Sequence, residues 1–96
     1  MSKGYNGWSN YETWRINLEM LDGMTPEDFG IDLSDDFANE THMVEALSEA
    51  VEGHVGYIIE EQAEGFALDL ANSFLARVDW AEIAEHMIED AIAELV

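Results

Sequence analysis

Apolar residues recur every three or four positions along most of this chain, the period of a helix with one buried face. The first run opens at Ser9-Asn10-Tyr11-Glu12, which reads as a capping box, the Ser hydroxyl bonding an exposed amide while Glu12 reaches back. The helix is expected to run to about Leu21, with Tyr11, Trp14, Leu18 and Leu21 as its buried stripe. Asp22-Gly23 ends it, because glycine tolerates the left-handed conformation common after a helix. Thr25-Pro26-Glu27-Asp28 is a second start signal with proline at the first helical position, but Gly30 follows too closely for more than a turn or so. Ile31 to Asn39 is acidic and irregular, with Ile31, Leu33 and Phe37 as expected anchors to the core. An alternating strand over Phe29–Leu33 would lack a second strand to pair with.

From about Thr41 the helical period returns. Val44, Leu47, Val51, Val55 and Ile58 form the apolar stripe, and Glu45, Glu49, Glu52, Glu60 and Glu61 lie largely off it. Gly53 and Gly56 each cost about 1 kcal/mol relative to alanine in a helix. They mark a kink, a break or a close helix contact. Gly65 separates the next run, where Phe66, Leu70, Phe74 and Val78 share a face with Ala67, Ala71 and Leu75 beside it. Asp79-Trp80-Ala81-Glu82 reads as another cap with an acid in the first turn. The last helix uses Ile83, Met87, Ile88, Ala91, Ile92 and Leu95. The pattern predicts an all-α fold: one domain over residues 1–96, a compact bundle of about four main helices plus one short helix, with 1–7 as a flexible lead-in.

Composition supports a folded chain, since 48% of residues are hydrophobic and the aromatic content is far above that of acidic disordered tails. Charge changes the picture more. Twenty-two Asp and Glu face only Lys3, Arg15 and Arg77, a formal net charge of −19, where small domains carry a magnitude of about 2 to 8. Self-repulsion at this level lowers stability. Direct nucleic-acid binding needs clustered Lys and Arg and is excluded, and an anionic membrane surface is disfavoured for the same reason. The partners left are basic: a nucleic-acid-binding protein, a cationic ligand or metal ions. With no Cys, disulfides and thiol chemistry are excluded. No signal core or membrane-length apolar run is present, so the expected location is the cytoplasm.

Carboxylates four apart on a helix lie about 6 Å apart along its axis, so the acids form rows. Asp32, Asp35, Asp36 and Glu40 in the acidic stretch, with Glu45, Glu49, Glu52, Glu60, Glu61, Glu64, Glu82, Glu85, Glu89 and Asp90 on the helices, are the expected partner contacts. Such rows imitate the charge ladder of a nucleic-acid backbone, one negative charge per ~1.7 Å of duplex. The plainer account is a solvated surface selected for solubility or a high-salt cytoplasm. Other chemistry fares worse. His42, His54 and His86 lack HExxH spacing, and His86 has Ile83 where a bundle metal site places Glu. The stretch from Asp32 lacks the Gly at position six and the Glu at position twelve of a calcium loop. No nucleophile triad, phosphate loop or Rossmann pattern accompanies the acids, so no catalytic residue, cofactor or metal is assigned. Tyr5, Trp8, Tyr11 and Trp14 read as packing around the helix start.

Two stretches carry a resemblance. Tyr5-Asn6-Gly7-Trp8-Ser9-Asn10-Tyr11-Glu12-Thr13-Trp14 resembles the Asn-Gly-aromatic-x-Asn-Tyr-x-Thr-Trp opening of small proteins encoded by phages and mobile elements. Asp79-Trp80-Ala81-Glu82-Ile83-Ala84-Glu85-His86 resembles the Trp-x-Glu-Ile-Ala-x-His segment near the end of many of them. The resemblance implies mobile-element origin. In size and charge such chains also resemble phage inhibitors of host defence, anti-CRISPR and anti-restriction proteins. Together these set the expectation of a non-enzymatic inhibitor that occupies the basic nucleic-acid site of a host protein or complex. The alternative is a structural or accessory phage protein acting by self-assembly or protein contact, its homodimer keeping the acidic faces apart. A halophile housekeeping protein is a third account.

Overall fold

The computed structural model describes residues 7–31 and 40–95. Among the described residues the fold is four helices and a 3-10 turn with no strand, as the hydrophobic period predicts. Helix α1 spans Tyr11–Ile16 and continues as a π-helical turn over Asn17–Leu21. The 3-10 turn is Pro26–Phe29, α2 is Glu40–Gln62, α3 is Gly65–Leu75 and α4 is Trp80–Leu95. Asp32, Asp35, Asp36, Leu33 and Phe37 lie outside the described residues.

The start of α1 differs from the expected capping box. Asn10 is the cap: its backbone is extended at φ −154°, and its side chain accepts a 2.9 Å bond from the Thr13 amide. Ser9 stands one residue too early and bonds elsewhere. The buried face is also rotated, because Thr13, Ile16 and Leu21 are buried whereas Tyr11 and Trp14 are half-buried and Leu18 is 48% exposed. Thr13 and Ile16 lie in the α-helical part, and the π turn carries Leu21 round to their side. Its wider i→i+5 winding sets Leu21 onto the face of Ile16, five residues earlier, which α-helical spacing would not do.

Thr25-Pro26-Glu27-Asp28 behaves as the sequence predicts. The Asp28 carboxylate accepts the Thr25 amide at 2.8 Å within a capping box, proline occupies the start, and Gly30 closes the turn in the left-handed region at φ 79°. Pro26 is buried, and Phe29 sets its ring edge-on against His54 of α2, 5.3 Å between centroids.

Met43, Leu47, Val51 and Val55 of α2 are buried almost completely. A strict four-residue step gains about 40° per repeat on a 3.6-residue helix, so this line slants across α2. It meets Ile83, Met87 and Ala84, Ile88 of α4, which also pair four apart, and the two ridges form the core. Val44 and Ile58, expected in the stripe, are half-buried beside it. The helix runs unbroken through Gly53 and Gly56, and a Cβ at either would meet nothing within 4 Å. They mark neither a break nor a close helix contact.

Helix α3 departs furthest from expectation. None of its residues is buried: Phe74 and Leu75 are half-buried, while Phe66 is 75% and Leu70 56% exposed. Only its C-terminal end leans on the domain, where Phe74 meets the Tyr11 ring edge-on at 6.1 Å, and the buried Val78 follows it.

Because nothing crowds either glycine of α2, Gly53→Ala and Gly56→Ala are each expected to stabilise the protein by up to about 1 kcal/mol. Urea denaturation checks this; a loss of stability in either variant would mean that the glycine is needed for its shape.

Candidate acidic interface and the junction that anchors it

The two motifs at opposite ends of the sequence meet in space. The Ser9 amide and hydroxyl both donate to Glu82 Oε1, at 3.1 and 2.7 Å. Asn10 Nδ2 donates to the Arg77 carbonyl at 2.7 Å, and the Asp79 amide donates to Thr13 Oγ1 at 2.8 Å. Trp8 stacks on His86, 4.2 Å between ring centroids. Arg77 Nε pairs with Glu12 Oε2 at 3.0 Å, which accounts for the Glu12 carboxylate that does not reach back to its own helix.

The expected cap at Asp79 is present, since Asp79 Oδ1 accepts the Glu82 amide at 3.0 Å. In a reciprocal capping box the residue at Glu82 would return a bond to the Asp79 amide. Here that amide goes to Thr13 and Glu82 goes to Ser9. The open half of the α4 cap is therefore completed by the start of α1. Thr13 is fully buried and Glu82 is 5% exposed. Among the described residues no buried side-chain nitrogen or oxygen lacks a partner.

This corrects one expected contact residue. Glu82 was placed with Glu85 and Glu89 on an exposed row, but it is buried in the junction and unavailable to a partner. Glu45, Glu49, Glu52, Glu60, Glu61, Glu64, Glu85, Glu89 and Asp90 are all exposed. Glu40 begins α2. Along α2, Glu45, Glu49, Glu52 and Glu60 lie opposite the mean direction of the buried ridge, spread over about 22 Å of helix axis. On α4, Glu85 and Glu89 are one turn apart.

Counter-ions for these acids are scarce. Arg15 Nε pairs with Glu19 at 2.8 Å, and its Nη1 donates to the Tyr11 hydroxyl at 2.8 Å. The Tyr11 hydrogen bond first, and then the Glu19 carboxylate, hold Arg15 still further toward its charged form than usual. Arg77 is taken by Glu12. Both described arginines therefore serve the first helix. No basic residue lies in the last turn of α2 or α4, where cations would favour the helix dipole, yet Glu60 and Glu61 sit there on α2. The fold places carboxylates where they are locally unfavourable.

A cleft of about 520 Å³ lies beside the junction, between the Leu21–Glu27 turn and α4. Trp8 and His86 form one wall, Leu21, Pro26 and Met87 supply apolar lining, and Asp90 lies on it. Among the described residues no group of three or more His, Asp or Glu is placed to hold a metal ion, and no helix is long and apolar enough to cross a membrane.

A family of unknown function, DUF7249, matches residues 1–96. The chain belongs to the DUF7249 family. No curated protein and no solved structure matches it. In this DUF7249 chain, the residues that sequence reading singled out as motifs are in large part the two sides of one hydrogen-bonded junction. Sequence reading missed Thr13 and Ser9 as junction residues. Their partners lie 66 and 73 positions away, and no local period signals such a contact.

Two neighbouring acids on α4 are thus expected to behave oppositely. Glu82→Ala removes a buried charged acceptor and should cost about 2–3 kcal/mol, whereas exposed Glu85→Ala should stay within about 0.5 kcal/mol of the parent. Chemical denaturation of the two variants decides, and equal effects would contradict the buried role. Glu61→Gln, at the C-terminal end of α2, should raise stability by about 0.3–1 kcal/mol, read from the same curves.

Proposed function

We propose that this protein is a non-enzymatic acidic binding protein of phage or mobile-element origin, which inhibits a host nucleic-acid-binding defence complex by occupying its basic surface, as anti-CRISPR proteins do. The observation that supports this reading is the set of exposed carboxylates on α2 and α4 that no described arginine pairs with. Both described arginines are committed to the first helix, and acids occupy the last turn of α2 where the helix dipole disfavours them. Charge that is unfavourable in the free protein is recovered when a Lys- and Arg-lined surface supplies the counter-ions.

Magnitudes decide between two forms of the idea. Four carboxylates over the 15 residue steps from Glu45 to Glu60 give one charge per about 7 Å of axis, half the density of a single DNA strand at about 3.4 Å. One helix is too sparse to copy phosphates one for one. Capture of a basic surface by the combined α2 and α4 faces fits better, with no single acid decisive.

The test uses tagged protein in nuclease-treated host lysate at low salt, followed by competition with duplex DNA. Expected is a nucleic-acid-binding complex that DNA displaces. Replacing Glu45, Glu49, Glu52 and Glu60 with Gln should weaken that complex about thirtyfold, at roughly 0.5 kcal/mol per exposed charge, and flatten its salt dependence. Glu82 is left out of this set because its change acts on folding. Capture of no basic protein, or a Gln set that binds as the parent does, would contradict the reading.

A further inference from the structure

The cleft of about 520 Å³ beside the junction is amphipathic on both of its sides. Along α4, His86, Asp90 and Glu94 step by four, and Met87 and Ala91 step by four beside them. A polar row and an apolar row therefore run together down one wall. Across from them, the buried Leu21 and Pro26 stand with the exposed Asp22 and Glu27. Trp8 adds an aromatic surface, held by its stack on His86 and by the bonds of the next residue, Ser9, to Glu82. We infer that this cleft is a binding site for a small organic cation, an ammonium carried on an alkyl or aryl body.

Charge and apolar surface together select the occupant. All four carboxylates are exposed, neither described arginine pairs with any of them, and no described Lys or Arg lines the cleft. An anion is repelled from such a site. A neutral apolar molecule fills the base but leaves the carboxylates beside it without a counter-charge. A bare metal ion lacks a holder, since among the described residues no three His, Asp or Glu are placed to bind one. It also makes no use of Leu21, Pro26 and Met87. An ammonium on an apolar body satisfies both parts, with the body on the base and the charge at the acidic rim. Trp8 favours the same ligand, because an indole attracts cations held against its face.

Size points to a free small molecule. The volume lies within the roughly 300–1,000 Å³ of small-molecule sites. The walls are already in place, with Leu21, Pro26 and Met87 packed and Trp8 stacked, so binding orders little. Of the acids assigned above to contact with a basic surface, Asp90 alone lines the cleft, and no residue of α2 does. The inference therefore stands apart from that reading.

A heteronuclear NMR titration of the full chain tests this, with phenethylamine as the probe. Methylamine supplies the charge without the body, and phenethyl alcohol the body without the charge. In about 0.15 M salt, charges beyond about 8 Å are largely screened, so the general negative field contributes little. Expected is saturable binding of phenethylamine that moves the Trp8 indole N–H and the Asp90 amide and leaves the Gly53 amide of α2 in place. It should be at least about tenfold tighter than binding of either control. Asp90→Asn with Glu94→Gln should weaken it about fivefold, and the fold should hold because both side chains are exposed. Asp69→Lys on α3, which shifts the net charge as much as that pair does, should leave binding within about twofold. Methylamine or phenethyl alcohol binding as tightly as phenethylamine would overturn the proposal, as would an Asp69→Lys effect equal to that of the α4 pair. So would a Lys- and Arg-rich peptide that moves the Trp8 indole when no small amine does, since the cleft would then receive a partner's side chain.

Discussion

A buried carboxylate accepts two bonds from the start of the chain, and a buried threonine accepts the amide that opens the last helix. Through Glu82–Ser9 and Asp79–Thr13, the beginning of α1 and the beginning of α4 share one set of caps. Each helix alone would leave amides unmet at its N-terminus. Joined, they satisfy one another, with Asn10 on the Arg77 carbonyl and Trp8 stacked on His86 closing the sides. The α2–α4 core then has α1 fixed against one end of it, and the π turn delivers Leu21 to the same interior.

This junction also organises the charge. It takes Glu82 out of the exposed set, uses Arg77 to hold Glu12, and leaves Arg15 to Glu19 and Tyr11. The two described arginines are spent on building the N-terminal corner. What remains on α2 and α4 is exposed carboxylate without local compensation, some of it at the end of a helix where the backbone dipole opposes it. Helix α3 stands apart from both roles, neither buried nor strongly charged. The chain thus divides into a satisfied corner, two acidic faces and one apolar stripe, and the second and third of these are unsatisfied in the isolated molecule.

Much of the architecture is legible in the sequence because it is local. Helical period, the Pro26 start, the Gly30 stop and the Asp79 cap each rest on residues within a turn or two of one another, and each is found where the pattern places it. The errors come where distant contacts or backbone irregularity decide. The three- and four-residue stripe through Tyr11, Trp14, Leu18 and Leu21 assumes α geometry to its end, which the π turn breaks from Asn17 onward. Phe66 and Leu70 have the period of a buried stripe without a partner to bury them, since the α2 ridge is occupied by α4. Glu82 looks like any other member of an acidic row until Ser9 is brought to it. Of the expected contact acids, nine are exposed, and Glu82 is the one the structure buries.

Amide hydrogen exchange tests the central claim most directly, by comparing the Ser9 and Asp79 amides with those of Val51 and Ile83 in the core. If the two caps hold α1 and α4 as one cooperative unit, the junction amides should open only with global unfolding, within about tenfold of the core amides. Exchange of Ser9 and Asp79 about a hundredfold or more faster, while the core stays protected, would mean that the N-terminal corner opens by itself. The junction would then be an accessory of the fold and not its anchor.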